Sequence, residues 1–504
     1  MGSPEVLELE KVAHTPPSAV ADNRDTVAEE NIAIPPTGQP ATGSHSQVYI
    51  FKRLRRPMAP PTKWRRVYIV VGLCLSMILC GWTEGSVGPL IPSLQKHYNI
   101  NYLKMSLIYL TGFVGSMFSG FLNVWITDRL GFGLSTTFGA ICSAIGYIFM
   151  ATGANYAVWL VAFIFTGFGL GLQDAQVNNL TSRLPNASNT MQLVQACFSL
   201  GGTIAPLAST AFAEHVEEKS YLYFWVATGV AVFSAVVMFV CFDMRTEEQI
   251  DGTNNHLTQT IIEPAGAVVP NVTKAEQVTN DEASAPTAQA SSGAKMKLIF
   301  STPAVYALLG FSFIYIGVEV AISSWAPTFL VRERGGSAKV GYVTTGFWGG
   351  MTVGRIVLIP VTNKLGYQRS IYLYSLLSLV FELIIWFTHN VVGNAICYAL
   401  IGAFLGPVYP IGLMVVSEVL DDSIRAGVMG LMGAMGGAGA AAVPFIAGAI
   451  ADAKGIWVVH PIAVAMIAGY TALWALVPTK KKVAKAVEPG TTPAETVEGS
   501  EASS

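Results

Sequence analysis

The sequence predicts an all-α membrane protein, with twelve transmembrane helices in two pseudo-symmetric six-helix bundles. Three observations carry this. The 504 residues are 52% hydrophobic and only 12% charged, with a mean hydropathy of +0.48, whereas soluble domains carry about 25% charged residues. Apolar runs near the roughly 20 residues that a spanning helix needs occur twelve times. The second six align on the first at one constant offset of 235 residues without a gap.

In chain order, residues 1–61 are rich in Pro, Ala, Ser, Thr and Glu without a sustained apolar period. A disordered cytoplasmic tail is expected there. No charged segment followed by a short apolar core opens the chain, so no cleaved signal peptide is expected. Lys52, Arg53, Arg55, Arg56, Lys63, Arg65 and Arg66 then abut the first apolar run. A nuclear signal is the rival reading, but a basic cluster against a hydrophobic segment sets membrane orientation.

The first bundle is expected over 62–244, with spans near 66–90, 103–125, 134–152, 156–179, 191–213 and 221–242. The second is expected over 301–478, with spans near 303–327, 340–363, 369–388, 392–417, 425–450 and 458–477. Between them, residues 245–300 read as a polar, unstructured cytoplasmic linker, and 479–504 as a cytoplasmic tail opening on Lys480, Lys481, Lys482 and Lys485. With both termini cytoplasmic, 20 Lys and Arg flank the membrane on the inner side and 7 on the outer side. That is the positive-inside pattern, and it makes the sequons at Asn179, Asn186 and Asn271 chance matches. The plasma membrane is the first expectation and an internal membrane the alternative.

Several classes of function find no support. All six cysteines (Cys74, Cys80, Cys142, Cys197, Cys241, Cys397) lie in apolar runs, without metal-site spacing or a loop to staple. The net charge of -2 gives no hint of a nucleic-acid partner. The glycines of Gly433–Gly439 and Gly349–Gly354 lie in spans with no preceding strand, so close helix packing accounts for them better than a nucleotide loop. No catalytic dyad, metal or cofactor is expected, and the chain does not read as an enzyme.

The most informative stretch is Phe165–Asn179, FTGFGLGLQDAQVNN, where an apolar helix turns polar at Gln173, Asp174, Gln176, Asn178 and Asn179. Ionisable groups at membrane depth are expensive and mark cavities or partners. Asp174 and Asn178 share a helix face and Gln173 and Gln176 a neighbouring one, giving a broad polar stripe. An interhelical hydrogen-bond network without a ligand is the bland alternative.

The repeat is explicit in particular residues. Glu84 meets Glu319, Pro92 meets Pro327, and Thr127-Asp128-Arg129-Leu130-Gly131-Phe132 meets Thr362-Asn363-Lys364-Leu365-Gly366-Tyr367. Gly167 and Gly171 meet Gly402 and Gly406, and Gly201-Gly202 meets Gly436-Gly437. Asp174, in contrast, meets Tyr409. Two parallel six-helix repeats are the construction of the major facilitator superfamily.

Gly120 through Asp128-Arg129-Leu130-Gly131 resembles that superfamily's loop between its second and third helices. The first copy has Phe132 and Gly133 where basic residues are usual, and the second has Asn363 for the acid but keeps Lys364 and Arg369. The resemblance implies an inner latch formed by Asp128, Arg129, Asn363 and Lys364.

Trp82-Thr83-Glu84-Gly85 leading into Gly88-Pro89-Leu90-Ile91-Pro92 is similar to the first-helix signature of fucose-permease-like transporters. Gly169-Leu170-Gly171-Leu172-Gln173-Asp174 with Asn178 and Gln195 is similar to their fourth- and fifth-helix pattern. This resemblance implies proton coupling at Glu84 and Asp174, with Glu/Asp swaps at both. Proton-driven drug exporters usually carry a Gly-Pro…Gly-Gly pattern on span 5, but Gly201-Gly202-Thr203-Ile204-Ala205-Pro206 lacks the glycine before its proline.

Candidate lining residues are Gln173, Gln176, Asn178, Gln195, Glu319, Trp82, Trp325 and Arg355. Glu84 reads either as a cavity carboxylate or as an acid near the headgroups, and Glu319 as a cavity acid or a structural partner. Arg355 needs an acid or an anionic ligand, with Glu382 and Glu319 as options. Glu382 otherwise reads as an interface residue and Glu418 as part of a loop network with Arg425. Trp82, Trp325 and Trp348 suit stacking on a sugar or a belt at the membrane boundary.

The expectation is a monomeric secondary transporter in a lipid bilayer, moving a small organic solute with protons, a sugar being the first guess. Proton-driven efflux of a hydrophobic or secondary metabolite is the alternative. A transporter-like sensor without flux is the alternative from another class.

Overall fold

The computed structural model describes residues 63–185, 187–251, 292–420 and 422–478. The expected tails, 1–61 and 479–504, and residues 252–291 of the expected linker lie outside the described residues. No strand occurs among the described residues, and ten of their helices are long and apolar enough to cross a membrane.

Geometry resolves these into twelve spans. Span 1 is Lys63–Tyr98. Spans 2 and 3 are the limbs 102–130 and 132–151 of one assigned helix, Tyr102–Ala151, broken at Gly131. Span 4 is Tyr156–Arg183, span 5 Ala187–His215 and span 6 Tyr223–Phe242. In the second half, span 7 is Pro303–Arg334. Span 8 is Tyr342–Val357, continued by Ile359–Leu365. Span 9 is Tyr367–Phe387, and span 10 is Val391–Leu405, continued by Val408–Val419. Spans 11 and 12 are Asp422–Lys454 and Val459–Trp474.

The break at Gly131 is a reversal. Gly112 and Ser116 meet Gly167, and Asn123 meets Gln176, so span 2 runs parallel to span 4. Gly139 meets Gly169 and Gly146 meets Ala162, so span 3 runs antiparallel to it. Gly131 makes this turn with φ 80° and ψ 175°, and its repeat mate Gly366 does the same with φ 78° and ψ 156°. That backbone region is essentially reserved for glycine. An added Cβ at Gly366 meets nothing within 4 Å, so Gly366→Ala isolates the backbone cost. A loss of about 1–3 kcal/mol is expected, read as a lower melting temperature in detergent.

The repeat survives at atomic detail. Asn155 and Asn390 are mates, and each caps a helix, accepting from Val158 N at 3.1 Å and from Gly393 N at 2.9 Å. An added Cβ on Gly167 would lie 2.0 Å from Gly112 O, and on its mate Gly402 2.0 Å from Phe347 O, Phe347 being the mate of Gly112. Close backbone approach between small residues is how helices associate in lipid, where hydrophobicity no longer drives them together.

The structure departs from the sequence reading in three respects. Spans 1 and 7 run on to Tyr98 and Arg334. Spans 8 and 10 are each interrupted, before Pro360 and at Gly406-Pro407, because proline lacks the N–H that continues the ladder. The described ends of the expected unstructured linker are helical, at Glu247–Asp251 and Ser292–Ser301. The first is held to span 4, Glu247 pairing with Arg183 at 2.7 Å and accepting from Asn179 at 2.9 Å.

Aromatic side chains fill each half. Trp159, Tyr223 and Phe224 pack edge to face in the first; in the second, Phe311 meets Tyr470 edge to face and Trp474 at a tilt. Phe233, Val240, Ile356 and Ile396 are among the large apolar side chains exposed around the outside. A bilayer is the solvent such a surface suits.

Candidate functional site

Span 1 carries Glu84, span 4 Asp174 and span 7 Glu319. Glu84 lies within electrostatic reach of both other acids, so carboxylates from the two halves converge on one interior region. Glu84 and Asp174 keep partial exposure, whereas Glu319 is 6% exposed. Tyrosines surround them: Tyr109 and Tyr147 lie near Glu84, Tyr409 near Asp174 and Glu319, and Tyr315 against Glu319 one turn away on the same helix. Tyr409 is the repeat mate of Asp174, and the two lie within electrostatic reach of each other.

Asp174 is held in a relay. Asn178 Nδ2 donates to Asp174 Oδ1 at 3.0 Å, and Gln195 Nε2 donates to Asn178 Oδ1 at 3.3 Å. Gln173 and Gln176 turn elsewhere. Ser76 Oγ donates to Gln173 Oε1 at 3.3 Å, tying span 4 to span 1. Gln176 Nε2 donates to Asn123 Oδ1 at 2.5 Å and to Thr127 Oγ1, tying span 4 to span 2. Each is 1% exposed. The polar stripe thus divides into a face toward the acids and two faces that join helices.

Arg355 has no carboxylate at ion-pair distance among the described residues; Glu319 lies only within electrostatic reach. Its Nε donates to Gly406 O at 3.1 Å, and one terminal nitrogen donates to Gln195 O at 2.5 Å and Ser199 Oγ at 3.0 Å. The guanidinium therefore clamps span 8 to span 10 and, across the halves, to span 5. Glu382, the other partner considered, is paired instead with His460 at 2.6 Å. It lies in the core of the second half and not at an interface. Arg355→Ala removes the donor to the Gly406 carbonyl, at about 1–3 kcal/mol, and the link across to span 5. Its melting temperature should fall clearly, with Arg355→Lys intermediate because an ammonium cannot span both carbonyls.

Trp325 is fully buried and donates to Pro444 O at 3.2 Å, with Tyr102 edge-on at 6.0 Å. It belongs to a seam between spans 7, 11 and 2. Trp348 is 1% exposed and packs on Gly202 of span 5, so neither of these two forms a membrane-boundary belt. Trp82 is half-buried beside Gly201.

The halves close on the side opposite Lys63 and the end of span 12, here the far side. One turn beyond Glu84, an added Cβ on Gly88 would lie 2.8 Å from Ser323 O, one turn beyond Glu319. Gly448 meets Ser106 in the same way, and Asn101 Nδ2 donates to Asp452 at 2.9 Å. Beyond this seam a vestibule of about 700 Å³ opens to the far side, its lining including Gln95, Lys96, Arg332 and Asp452.

The Major Facilitator Superfamily profile matches residues 73–398 and 336–500. This chain belongs to the major facilitator superfamily. A curated relative, Bypass of stop codon protein 6 of Saccharomyces cerevisiae, is 23% identical over 425 residues, 81% of this chain and 82% of the relative. Among solved structures, a D-xylose-proton symporter aligns with a TM-score of 0.64 at 13% identity, covering 82% of this chain and 99% of that one. The fucose:proton symporter FucP of E. coli, in an N162A form, aligns with a TM-score of 0.53 at 17% identity over the same shares. These structures share the fold.

As a member of this superfamily the chain is a multi-pass membrane transporter and not an enzyme. The loop residues expected to form a latch lie on the same side as Lys63 and the end of span 12. Arg129 is exposed with its guanidinium 4.2 Å from the Trp125 ring centroid, and Asp128 is half-buried. Asn363 and Lys364 are exposed, Asn363 lining a cavity of about 60 Å³ with Arg355 and Gln192. Two features escaped the sequence reading. The tyrosines around the acids are one, signalled only by Tyr409 standing opposite Asp174 in the repeat. The buried Glu382–His460 pair is the other, and its partners are too far apart in sequence to leave a local motif.

Proposed function

We propose that this transporter is a proton-coupled carrier of a small polar solute, with a sugar as first candidate, working by alternating access. The observation that carries the reading is the convergence of Glu84, Asp174 and Glu319, contributed by both halves, on one tyrosine-lined region. Carboxylates so placed can take up protons when the cavity faces one side and release them when it faces the other. Coupling requires only that their proton affinity differ between the two states. Tyrosine hydroxyls with Asn178 and Gln195 offer donors and acceptors suited to a polyhydroxy ligand, and tyrosine rings offer faces for its C–H surface. The likeness to two sugar–proton symporters supports the same class of cargo.

In this reading the seam at Gly88 and Ser323 is the far gate, and the Asp128–Arg129 and Asn363–Lys364 loops form the opposing latch. Two bundles at 62–244 and 301–478 rock about the acids, as a monomer, with both termini cytoplasmic and the plasma membrane as the first location to examine.

The test is flux in proteoliposomes under an imposed pH gradient, with labelled pentoses and hexoses, preceded by a screen for sugar-induced shifts in melting temperature. A protective sugar that accumulates only with the gradient is the expected result. Accumulation indifferent to the gradient would remove the coupling. Gradient-driven flux of hydrophobic compounds with no response to sugars would replace the cargo.

A further inference from the structure

The second half holds another ionisable pair. His460 Nδ1 of span 12 and Glu382 Oε1 of span 9 are 2.6 Å apart, with side chains 1% and 0% exposed. Neither is among the groups that act electrostatically on Glu84, Asp174 or Glu319. Glu382 Oε2 and His460 Nε2 are also buried, with no hydrogen-bond partner among the described residues. Such a pair costs more than hydrophobic residues of the same volume, and intramembrane ionisable groups point to function by default. The repeat does not impose it, since the mates of Glu382 and His460 are Tyr147 and Trp225.

The surroundings tie the pair to span 7. Phe329 of that span meets the His460 ring edge-on at 4.1 Å. Arg334, at its far-side end, lies over Phe329 at 4.7 Å and donates to the Ile385, Trp386 and Thr388 carbonyls closing span 9. From span 10, Tyr398 and Cys397 lie within electrostatic reach of Glu382, and Arg334 within reach of Tyr398. Ser323, Ser324 and Trp325, on the same helix as Phe329, form the far seam.

We propose that Glu382 and His460 form a second proton-binding site, outside the transport cavity, whose occupancy biases closure of the far seam. With one proton between them the pair is neutral overall. Losing it leaves one negative charge and gaining another leaves one positive charge, each costly in an apolar core. The cationic Arg334, toward the far side, offsets the negative form and opposes the positive one. Changes at the pair reach Phe329 directly, and through its helix the strip that meets Gly88. The site goes beyond the proposed function and does not depend on the cargo.

The test uses the full chain in nanodiscs, with Ser324→Cys reporting far-side accessibility by thiol labelling, corrected for the parent and divided by the rate of the detergent-denatured variant at the same pH so that ionisation of the thiol cancels. Glu84→Gln, Asp174→Asn and Glu319→Gln together silence the three cavity acids whose titration would otherwise be read. In that background the labelling rate should still change between about pH 5 and about pH 9, by up to about tenfold per unit of difference in proton affinity between the open and closed states. Adding Glu382→Gln with His460→Gln, which keeps the shape and hydrogen bonding, should flatten the profile. A profile already flat before those changes, or unaltered by them, overturns the proposal and leaves the proposed function standing. Should the combined variant not fold, infrared difference spectra of the otherwise unmodified protein across the same range must show a carboxyl band lost in Glu382→Gln. Its absence overturns the proposal too.

Discussion

Asp174→Asn should abolish pH-driven accumulation while leaving exchange of cargo across the membrane intact. For one proton per solute, a gradient of one pH unit supports up to about tenfold accumulation, and the variant should fall to no accumulation at all. The side chain keeps its volume and an oxygen that can accept from Asn178 Nδ2, which now donates at 3.0 Å, so the relay to Gln195 need not collapse. Only the titration is removed. Exchange requires the loaded carrier to reorient without releasing its proton, and it therefore survives. Uptake of labelled solute into proteoliposomes with and without a gradient, beside counterflow at uniform pH, separates the two. Accumulation that still followed the gradient would move the coupling role to Glu84 or Glu319.

Gly88→Leu should hold the far side open. An added Cβ would already lie 2.8 Å from Ser323 O and 3.3 Å from the Ser324 Cα. These are backbone atoms of span 7 and cannot rotate away, and a leucine side chain needs several further ångströms. The overpacking penalty of about 1–3 kcal/mol falls only on the state in which spans 1 and 7 touch. The ratio of open to closed molecules should rise about 5- to 150-fold. Far-side thiol labelling at Ser324→Cys should become fast, while net transport is lost and the protein remains folded. Slow labelling in Gly88→Leu would mean that spans 1 and 7 do not form the gate.

Much of the architecture was legible because it is written in linear terms. Twelve apolar runs and a fixed offset require no knowledge of contacts, and the offset recurs in three dimensions as the matched reversals at Gly131 and Gly366 and the matched caps at Asn155 and Asn390. The convergence of Glu84 with Glu319 follows from the same symmetry. Direction around a helix was less legible. Gln173 and Gln176 stand beside Asp174 in sequence, yet 100° per residue turns them onto spans 1 and 2. The need of Arg355 for compensation was readable, but an acid was the natural expectation. Carbonyls of Gln195 and Gly406 serve instead, and backbone acceptors have no signature in sequence.

The sequence by itself determined a membrane-spanning, twofold-repeated helical chain with an acid on span 1, another on span 4 and a third related to the first by the repeat. Hydrophobicity and periodicity are properties of neighbouring residues and are therefore fully present in the chain. Tertiary structure alone decided which polar groups meet. His460 finds Glu382 from 78 residues away, and Arg355 finds Gln195 from 160. In lipid the association of helices rests on shape and on satisfying polar groups. Those partnerships are settled only when all the helices around a site have packed.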